Sequence, residues 1–142
     1  LANINSNLAL YRDNGVRYVG KVLLALRPGR KDKNFISIAK NVCDYFGGSL
    51  TLLHVVPENS STTETVKHRS EEKLKQSGVD AEVLILKSSD PVETISETSA
   101  GYDLLILGTP EKDNWINVLF GGGKDKFTER AACSVLRITL KD

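Results

Sequence analysis

Two kinds of hydrophobic pattern alternate along the chain. Short, unbroken apolar runs such as Val22-Leu23-Leu24-Ala25-Leu26 are typical of strands that are covered on both faces, as in a parallel sheet. Longer stretches between them carry apolar residues three or four positions apart, which is typical of amphipathic helices. This alternation predicts strands over residues 21–26, 50–56, 81–86, 104–107 and 134–140.

The ends of the predicted helices are marked by particular residues. The first helix carries an apolar stripe from Phe35 to Phe46, with Asp32 as its expected cap and Gly47 suited to a left-handed ending. Asp90-Pro91 begins another helix, with Asp as the cap and Pro at the first helical position. Two further helices are predicted over residues 64–76 and 124–131.

Strands that alternate with helices predict right-handed crossovers between parallel strands. The fold class is therefore α/β: a doubly wound, mostly parallel, five-stranded sheet with helices on both faces, of the Rossmann-like kind. We expect this domain to occupy residues 21–142. Residues 1–20 are polar and rich in Asn, and they are predicted to be a linker or a short lead-in segment.

Composition excludes several classes of protein. The chain has 142 residues, of which 40% are hydrophobic and 26% are charged, as in an ordinary soluble domain. No apolar run approaches the ~20 residues that a membrane span needs. The formal net charge is +1, which provides no general attraction to nucleic acid, so we expect no nucleic-acid partner.

The chain also lacks the residue sets that catalysis or metal binding requires. Its two His and two Cys residues are scattered, without a metal-ligand spacing or a recognisable nucleophile and base. We therefore expect no enzymatic activity, no metal, and a cytoplasmic protein whose Cys43 and Cys133 are buried reduced thiols. His54 lies in an apolar strand and is expected to be a core or edge histidine with satisfied hydrogen bonds, with a ligand contact as the alternative.

Candidate binding residues gather at one edge of the predicted sheet. In doubly wound sheets the ligand crevice lies outside the carboxyl ends of the strands, and a glycine-rich loop before a helix directs backbone N–H groups toward a phosphate. Three consecutive glycines are also typical of a flexible turn, and neither a P-loop nor a dinucleotide motif is present. The candidate cofactor-binding residues are Gly108, Gly121, Gly122, Gly123, Lys124, Arg27 and Val55.

Five stretches, taken together, resemble the universal stress protein family. They are Val22-Leu23-Leu24-Ala25-Leu26, Leu52-Leu53-His54-Val55-Val56, Tyr102-Asp103-Leu104-Leu105-Ile106-Leu107-Gly108, Leu119-Phe120-Gly121 and Ala131-Ala132-Cys133-Ser134-Val135-Leu136-Arg137-Ile138. The resemblance extends over residues 21–140 and implies a five-stranded, doubly wound domain. It also implies a homodimer in which the last strand lies at a sheet edge and pairs with its copy across a two-fold axis.

The loop after the fourth predicted strand departs from the form G-x2-G-x9-G-[ST] that nucleotide-binding members carry. Gly108 and Gly121 fill the first and third glycines, but Glu111 stands at the second and Gly122 replaces the hydroxyl residue. Lys124 falls where a later phosphate-contacting Ser often lies. A carboxylate at Glu111 would repel a triphosphate, and the missing hydroxyl removes a hydrogen-bond donor.

A further departure lies at the end of the first predicted strand. Arg27 stands where the family has an Asp near the base and ribose, and a guanidinium group cannot accept a hydrogen bond. The resemblance therefore implies a degenerate nucleotide site, with no cofactor expected and with ATP or AMP as the remaining candidates.

The resemblance also suggests a context for the chain. Family copies fused to the cytosolic ends of amino-acid permeases, cation–chloride cotransporters and ion exchangers often lose that Asp and carry a nearby Pro, as Arg27-Pro28 does. The chain has no Met and begins with Leu1, which fits an excised domain. We expect a non-catalytic regulatory and dimerisation domain of such a membrane transporter, with the membrane-embedded part as a partner in the same polypeptide. The alternative is a free-standing ATP- or AMP-binding universal stress protein.

Overall fold

Strands and helices alternate along the computed structural model, which describes residues 8–12, 18–27, 31–110 and 133–140. Two strands differ from the prediction: the strand Leu8–Arg12 was not predicted, and the strand predicted over residues 104–107 extends to Pro110. Every other described element begins and ends within a residue or two of its predicted bounds. In chain order the elements are β1 (Leu8–Arg12), β2 (Lys21–Leu26), α1 (Asp32–Phe46), β3 (Ser49–Val56), α2 (Thr63–Gln76), β4 (Ala81–Lys87), α3 (Pro91–Ser99), β5 (Leu104–Pro110) and β6 (Ser134–Leu140).

The described strands form one sheet in the order β1-β6-β5-β2-β3-β4. The neighbours from β6 to β4 are all parallel, whereas β1 runs antiparallel to β6. Leu24 of the central strand β2 is aligned with Leu52 of β3 on one side and with Ile106 of β5 on the other. The predicted doubly wound fold with five parallel strands is confirmed.

The central strands are buried on both faces, which explains their unbroken apolar runs. Successive side chains of a strand point to opposite faces of the sheet. Leu24 accordingly belongs to an apolar cluster that includes residues of α1 and α2. Leu23 and Ala25 belong to a second cluster that includes Ile95 of α3. Because the helices lie on both faces, both sets of strand residues are removed from water.

Helix α1 ends as predicted but begins differently. Gly47 follows its last residue with a φ of 70°, a left-handed conformation that glycine adopts without a steric penalty. At the other end, the expectation that Asp32 caps the helix is wrong: Lys31 occupies the cap position, and Asp32 is the first helical residue. The start of α3 agrees with its prediction, since Asp90 Oδ1 accepts a 3.1 Å hydrogen bond from the N–H of Glu93.

Strand β1 lies within residues 1–20, a stretch predicted to be a linker or a short lead-in segment. It pairs with β6 from Leu8, aligned with Thr139, to Arg12, aligned with Val135. The expectation that the last strand forms an edge of the sheet is therefore wrong, because β6 lies between β1 and β5. Homodimerisation through β6 stays a prediction. The five-residue stretch of β1 is too short to give a clear hydrophobic period.

The predicted helix over residues 124–131 lies outside the described residues. Within the described part of the chain, no helix combines the length and the apolar content that crossing a membrane requires.

Candidate functional site

An open cavity of about 750 Å³ lies at the carboxyl ends of β2, β3 and β4. The strand ends contribute apolar side chains to its lining, from Leu26, Val55 and Val56. Small-molecule sites in proteins typically span about 300–1,000 Å³, so the volume suits a small organic ligand. The other lining residues are Arg27, Pro57, Glu58, Asn59, Ser60, Thr62, Val66, Ser88, Ser89, Pro91 and Ile95.

Two helices begin beside this cavity. Helices α2 and α3 follow β3 and β4, so their N-termini, which carry partial positive charge, lie at the same edge of the sheet. Hydrogen bonds order the hydroxyl groups there: Ser60 Oγ lies 2.9 Å from Thr62 Oγ1, and Ser88 Oγ accepts a 2.9 Å hydrogen bond from the N–H of Asp90. The cavity therefore combines an apolar lining with hydroxyl groups and helix ends that suit a polar or anionic part of a ligand.

The cavity adjoins the point where the strand order reverses. The chain proceeds from β2 outward to β3 and β4, and then returns to β5 on the other side of β2. Ligands of open α/β sheets bind at such switch points. Leu26, the last residue of β2, is aligned with Gly108 of β5, and Arg27 follows directly. The exposed Arg27 therefore lies at the switch point and brings a positive charge to the cavity, which Glu58 also lines.

His54 supports the end of β2 from the neighbouring strand. It is 1% exposed, and its Nδ1 lies 2.9 Å from the carbonyl oxygen of Leu26. Burial is the main cause of the lowered pKa of His54, and Lys73 adds to it, whereas the hydrogen bond to Leu26 and the carboxylate of Asp32 act in the opposite direction. The expectation of a core histidine with a satisfied hydrogen bond is confirmed.

A largely buried ion pair joins α1 to α2. Lys73 Nζ lies 2.9 Å from Asp32 Oδ2, with side chains that are 31% and 5% exposed. The two residues are 41 positions apart, so no local sequence pattern indicates the contact. Both charges also influence the pKa of His54, which Asp32 raises and Lys73 lowers.

Packing accounts for the glycine at position 108. A Cβ added to Gly108 would lie 2.7 Å from Cδ1 of Phe35 and closer still to Cδ2 of Leu26, well inside the ~3.5–4.0 Å of a normal carbon–carbon contact. Gly108 therefore allows β5 to approach β2 and α1. This contact is sufficient reason for a glycine here, whether or not a ligand binds.

The structure brings together some of the predicted cofactor-binding residues. Arg27 and Val55 both line the cavity, and Gly108 lies on β5 next to the end of β2. Gly121, Gly122, Gly123 and Lys124 lie outside the described residues. The predicted site residues do not include Ser60 and Ser88, which belong to the segments that follow β3 and β4 and also line the cavity. Their position after predicted strands was the available signal.

Both cysteines are buried, as expected. Burial, with a smaller contribution from Asp44, raises the pKa of Cys43 to about 11. Burial also raises the pKa of Cys133. Neither thiol therefore has the thiolate character of a nucleophile. In the part of the chain that the structure describes, no group of three or more His, Cys, Asp or Glu residues is placed to hold a metal ion.

Known structures with the same architecture include several universal stress proteins. One, solved in complex with cAMP, gives a TM-score of 0.66 at 15% identity and covers 87% of this chain and 98% of that protein. Another, from Archaeoglobus fulgidus in complex with dAMP, gives a TM-score of 0.59 at 13% identity and covers 85% of this chain and 98% of that protein. A third, also from Archaeoglobus fulgidus, gives 0.69 at 18% identity; it covers 95% of this chain, which spans 50% of that protein's length.

No family model matches the sequence, and no curated protein gives a significant match. Sheet order and the cavity at the strand ends define a doubly wound, Rossmann-like α/β protein. Within that class, the chain has the fold of the universal stress proteins. The resemblance seen in the sequence is thereby confirmed at the level of the fold.

Proposed function

We propose that the chain is a non-catalytic regulatory module of the universal stress protein type, which binds a small molecule in the cavity at the ends of β2, β3 and β4. The observation that carries the proposal is the cavity itself, about 750 Å³ in volume and adjacent to the topological switch point. Its lining of apolar strand ends and ordered hydroxyl groups supports binding rather than bond cleavage.

Weakened binding of adenine nucleotides is part of the same proposal. Arg27 lines the cavity and can donate hydrogen bonds but not accept them, so it cannot receive hydrogen bonds from ribose hydroxyls or the adenine amino group. In the sequence, Glu111 and Gly122 replace a glycine and a hydroxyl residue of the phosphate loop pattern. Each change removes an interaction with a nucleotide or adds a repulsive one.

A free-standing protein that binds AMP or ATP is the second candidate. It is supported by the structures of similar fold solved with cAMP and dAMP, and by a cavity that is large enough for a mononucleotide. The two candidates predict different affinities for the same ligands, so one titration separates them.

The test is an NMR titration of the backbone amides with AMP, cAMP and ATP, together with an assay for phosphate release from ATP. We expect weak binding, with dissociation constants of about 1 mM or higher, shifts centred on Val56 and Ser88, and no phosphate release. Binding below about 10 μM would favour the second candidate. Absence of any shift would argue against an adenosine-type ligand, and phosphate release would contradict a non-catalytic role.

Two tryptophan variants localise the binding. Val66 lines the cavity from α2, whereas the neighbouring Lys67 is exposed. Val66→Trp should abolish the shifts by filling the cavity, and Lys67→Trp should leave them unchanged.

We further propose that the module serves a membrane transporter as its cytosolic domain. The support is the Arg27-Pro28 pair in place of the acidic residue of nucleotide-binding relatives. The full reading frame of the gene tests this directly, because a series of membrane-spanning segments joined to this domain is required.

A further inference from the structure

The outer edge of β6 is covered from within the same chain. Strand β1 lies antiparallel to β6, in continuous register from Leu8 opposite Thr139 to Arg12 opposite Val135. This places β1 at the end of the strand order and β6 inside it. Five residues of β1 thus pair with a seven-residue strand.

Without β1, β6 would be an edge strand with little protection. Exposed edge strands pair with other chains unless charges, prolines or bulges prevent it. The sequence of β6, Ser-Val-Leu-Arg-Ile-Thr-Leu, contains one charged residue and no proline. The opposite edge strand, β4, begins with Ala-Glu and ends with Lys, and both Glu82 and Lys87 are exposed. The β6 edge therefore carries fewer charged residues that would prevent pairing with another chain than the β4 edge does.

The direction of β1 is the direction that a second copy would take. Two copies related by a two-fold axis bring the same strand of each into antiparallel pairing. A second β6 would therefore approach β6 antiparallel to it and would use the same backbone N–H and C=O groups as β1. The two arrangements exclude each other.

From these observations we infer that β1 is a built-in blocking strand, which keeps the β6 edge from pairing with β6 of a second copy. Residues 13–20 join β1 to β2, and a short tether of this kind gives a local concentration in the millimolar range. On this inference the homodimer that the sequence resemblance predicts forms only when β1 is released, and the intact chain is a monomer at micromolar concentration. This inference is independent of the ligand that the cavity binds.

Proline substitutions in the full chain test whether β1 prevents β6 from pairing with a second copy. Ala9→Pro with Leu10→Pro removes two neighbouring backbone N–H groups, one of which faces β6 in any strand. Asn3→Pro with Ile4→Pro is the matched control before β1. Analytical ultracentrifugation should show a dissociation constant for dimerisation that is at least ~100-fold lower for the first variant than for the control or the unaltered chain. In that dimer the β6 amides should stay protected from hydrogen exchange.

Disulfide trapping tests the pairing of β1 with β6 in a chain that keeps its fold. Leu10 and Arg137 are aligned, and aligned residues of an antiparallel pair lie at a Cα separation that suits a disulfide. Leu10→Cys with Arg137→Cys should form an intramolecular disulfide faster than the displaced pair Leu8→Cys with Arg137→Cys, and the oxidised protein should stay monomeric. Equal rates for the two pairs, a monomeric proline variant, or a dimer whose β6 amides exchange freely would overturn the inference.

Discussion

His54 and Leu26 are aligned across β3 and β2, and His54 Nδ1 lies 2.9 Å from the carbonyl oxygen of Leu26. A carbonyl oxygen accepts but cannot donate, so Nδ1 carries the proton and Nε2 of the neutral ring is left as an acceptor. Burial lowers the pKa of His54, which keeps the ring neutral near pH 7. The histidine thereby connects the core to the strand end that lines the cavity.

This arrangement predicts that the protein loses stability as the pH falls below about 6.5, the ordinary pKa of histidine. In that range the unfolded chain binds a proton at His54 that the folded chain does not, so the free energy of unfolding decreases with falling pH, by at most about 1.4 kcal/mol per pH unit. Asp32 on α1 opposes this effect and Lys73 on α2 adds to it. Urea unfolding at pH 7.5, 6.5 and 5.5 measures the slope.

Two glutamine variants separate His54 from other titrating groups. His54→Gln keeps an N–H donor for Leu26 but cannot bind a proton, so it should lose this part of the pH dependence. His68 on α2 is exposed and is the other histidine of the chain, so His68→Gln is the matched control for the loss of a histidine. Identical slopes in both variants would show that His54 is not the group responsible.

The ion pair between Asp32 and Lys73 should contribute more stability than an exposed pair. Lys73→Met leaves the 5%-exposed carboxylate of Asp32 without this partner, and we expect a loss of about 1–3 kcal/mol. Lys40 and Asp44 form a pair on α1 with side chains 41% and 62% exposed. Lys40→Met should cost about 0.3–0.5 kcal/mol. Chemical denaturation of the two variants compares these values, and equal losses would contradict the role of burial.

Gly108→Ala should destabilise the protein because the added methyl group collides with Leu26 and Phe35. Overpacking of this kind costs about 1–3 kcal/mol. Gly101 is the matched control, since the nearest atom to a Cβ there is the Thr98 carbonyl oxygen at 3.8 Å, and Gly101→Ala should change stability by less than about 0.5 kcal/mol. Thermal unfolding of the two variants decides whether packing explains the glycine; an unaffected Gly108→Ala would leave a ligand contact as its explanation.

Arg27→Asp should strengthen the binding of adenosine ligands. The substitution places a hydrogen-bond acceptor at the switch point, and one charge-assisted hydrogen bond corresponds to about a tenfold change in affinity. Arg69→Asp makes the same change of charge at an exposed position of α2 and should leave the affinity for AMP unchanged. Titration calorimetry with AMP makes the comparison, and weaker binding by the Arg27 variant would show that the guanidinium group itself contacts the ligand.

Much of the architecture could be predicted because its causes are local. The run from Val22 to Leu26 predicts a doubly covered strand, and Gly47 and Asp90 mark helix ends through their own backbone preferences. Contacts between distant segments had no such signal. Asp103 Oδ2 accepts hydrogen bonds of 2.8 Å from the Gly20 N–H and 2.9 Å from the Lys21 N–H, across 83 and 82 positions, and nothing near Asp103 in the sequence indicates those partners.

The candidate site likewise contains residues that the sequence could predict and residues that it could not. Arg27 and Val55 could be predicted as site residues because both lie at the ends of clear strands. Ser88, which also lines the cavity, follows a predicted strand as well, but which residue of that segment reaches the cavity depends on how β4 and α3 meet.

The sequence by itself determined the order of the elements from β2 onward and the parallel core, because hydrophobic periods and turn residues act over a few neighbouring positions; the fold family was indicated separately, by the stretches that resemble the universal stress proteins. Only the tertiary structure decided that Asp32 pairs with Lys73 rather than capping α1, and that β1 covers β6. Both outcomes depend on which surfaces remain available once the sheet has assembled. Segments that are far apart in the sequence compete for these buried contacts, and the residues around each segment carry no pattern that predicts which contact forms.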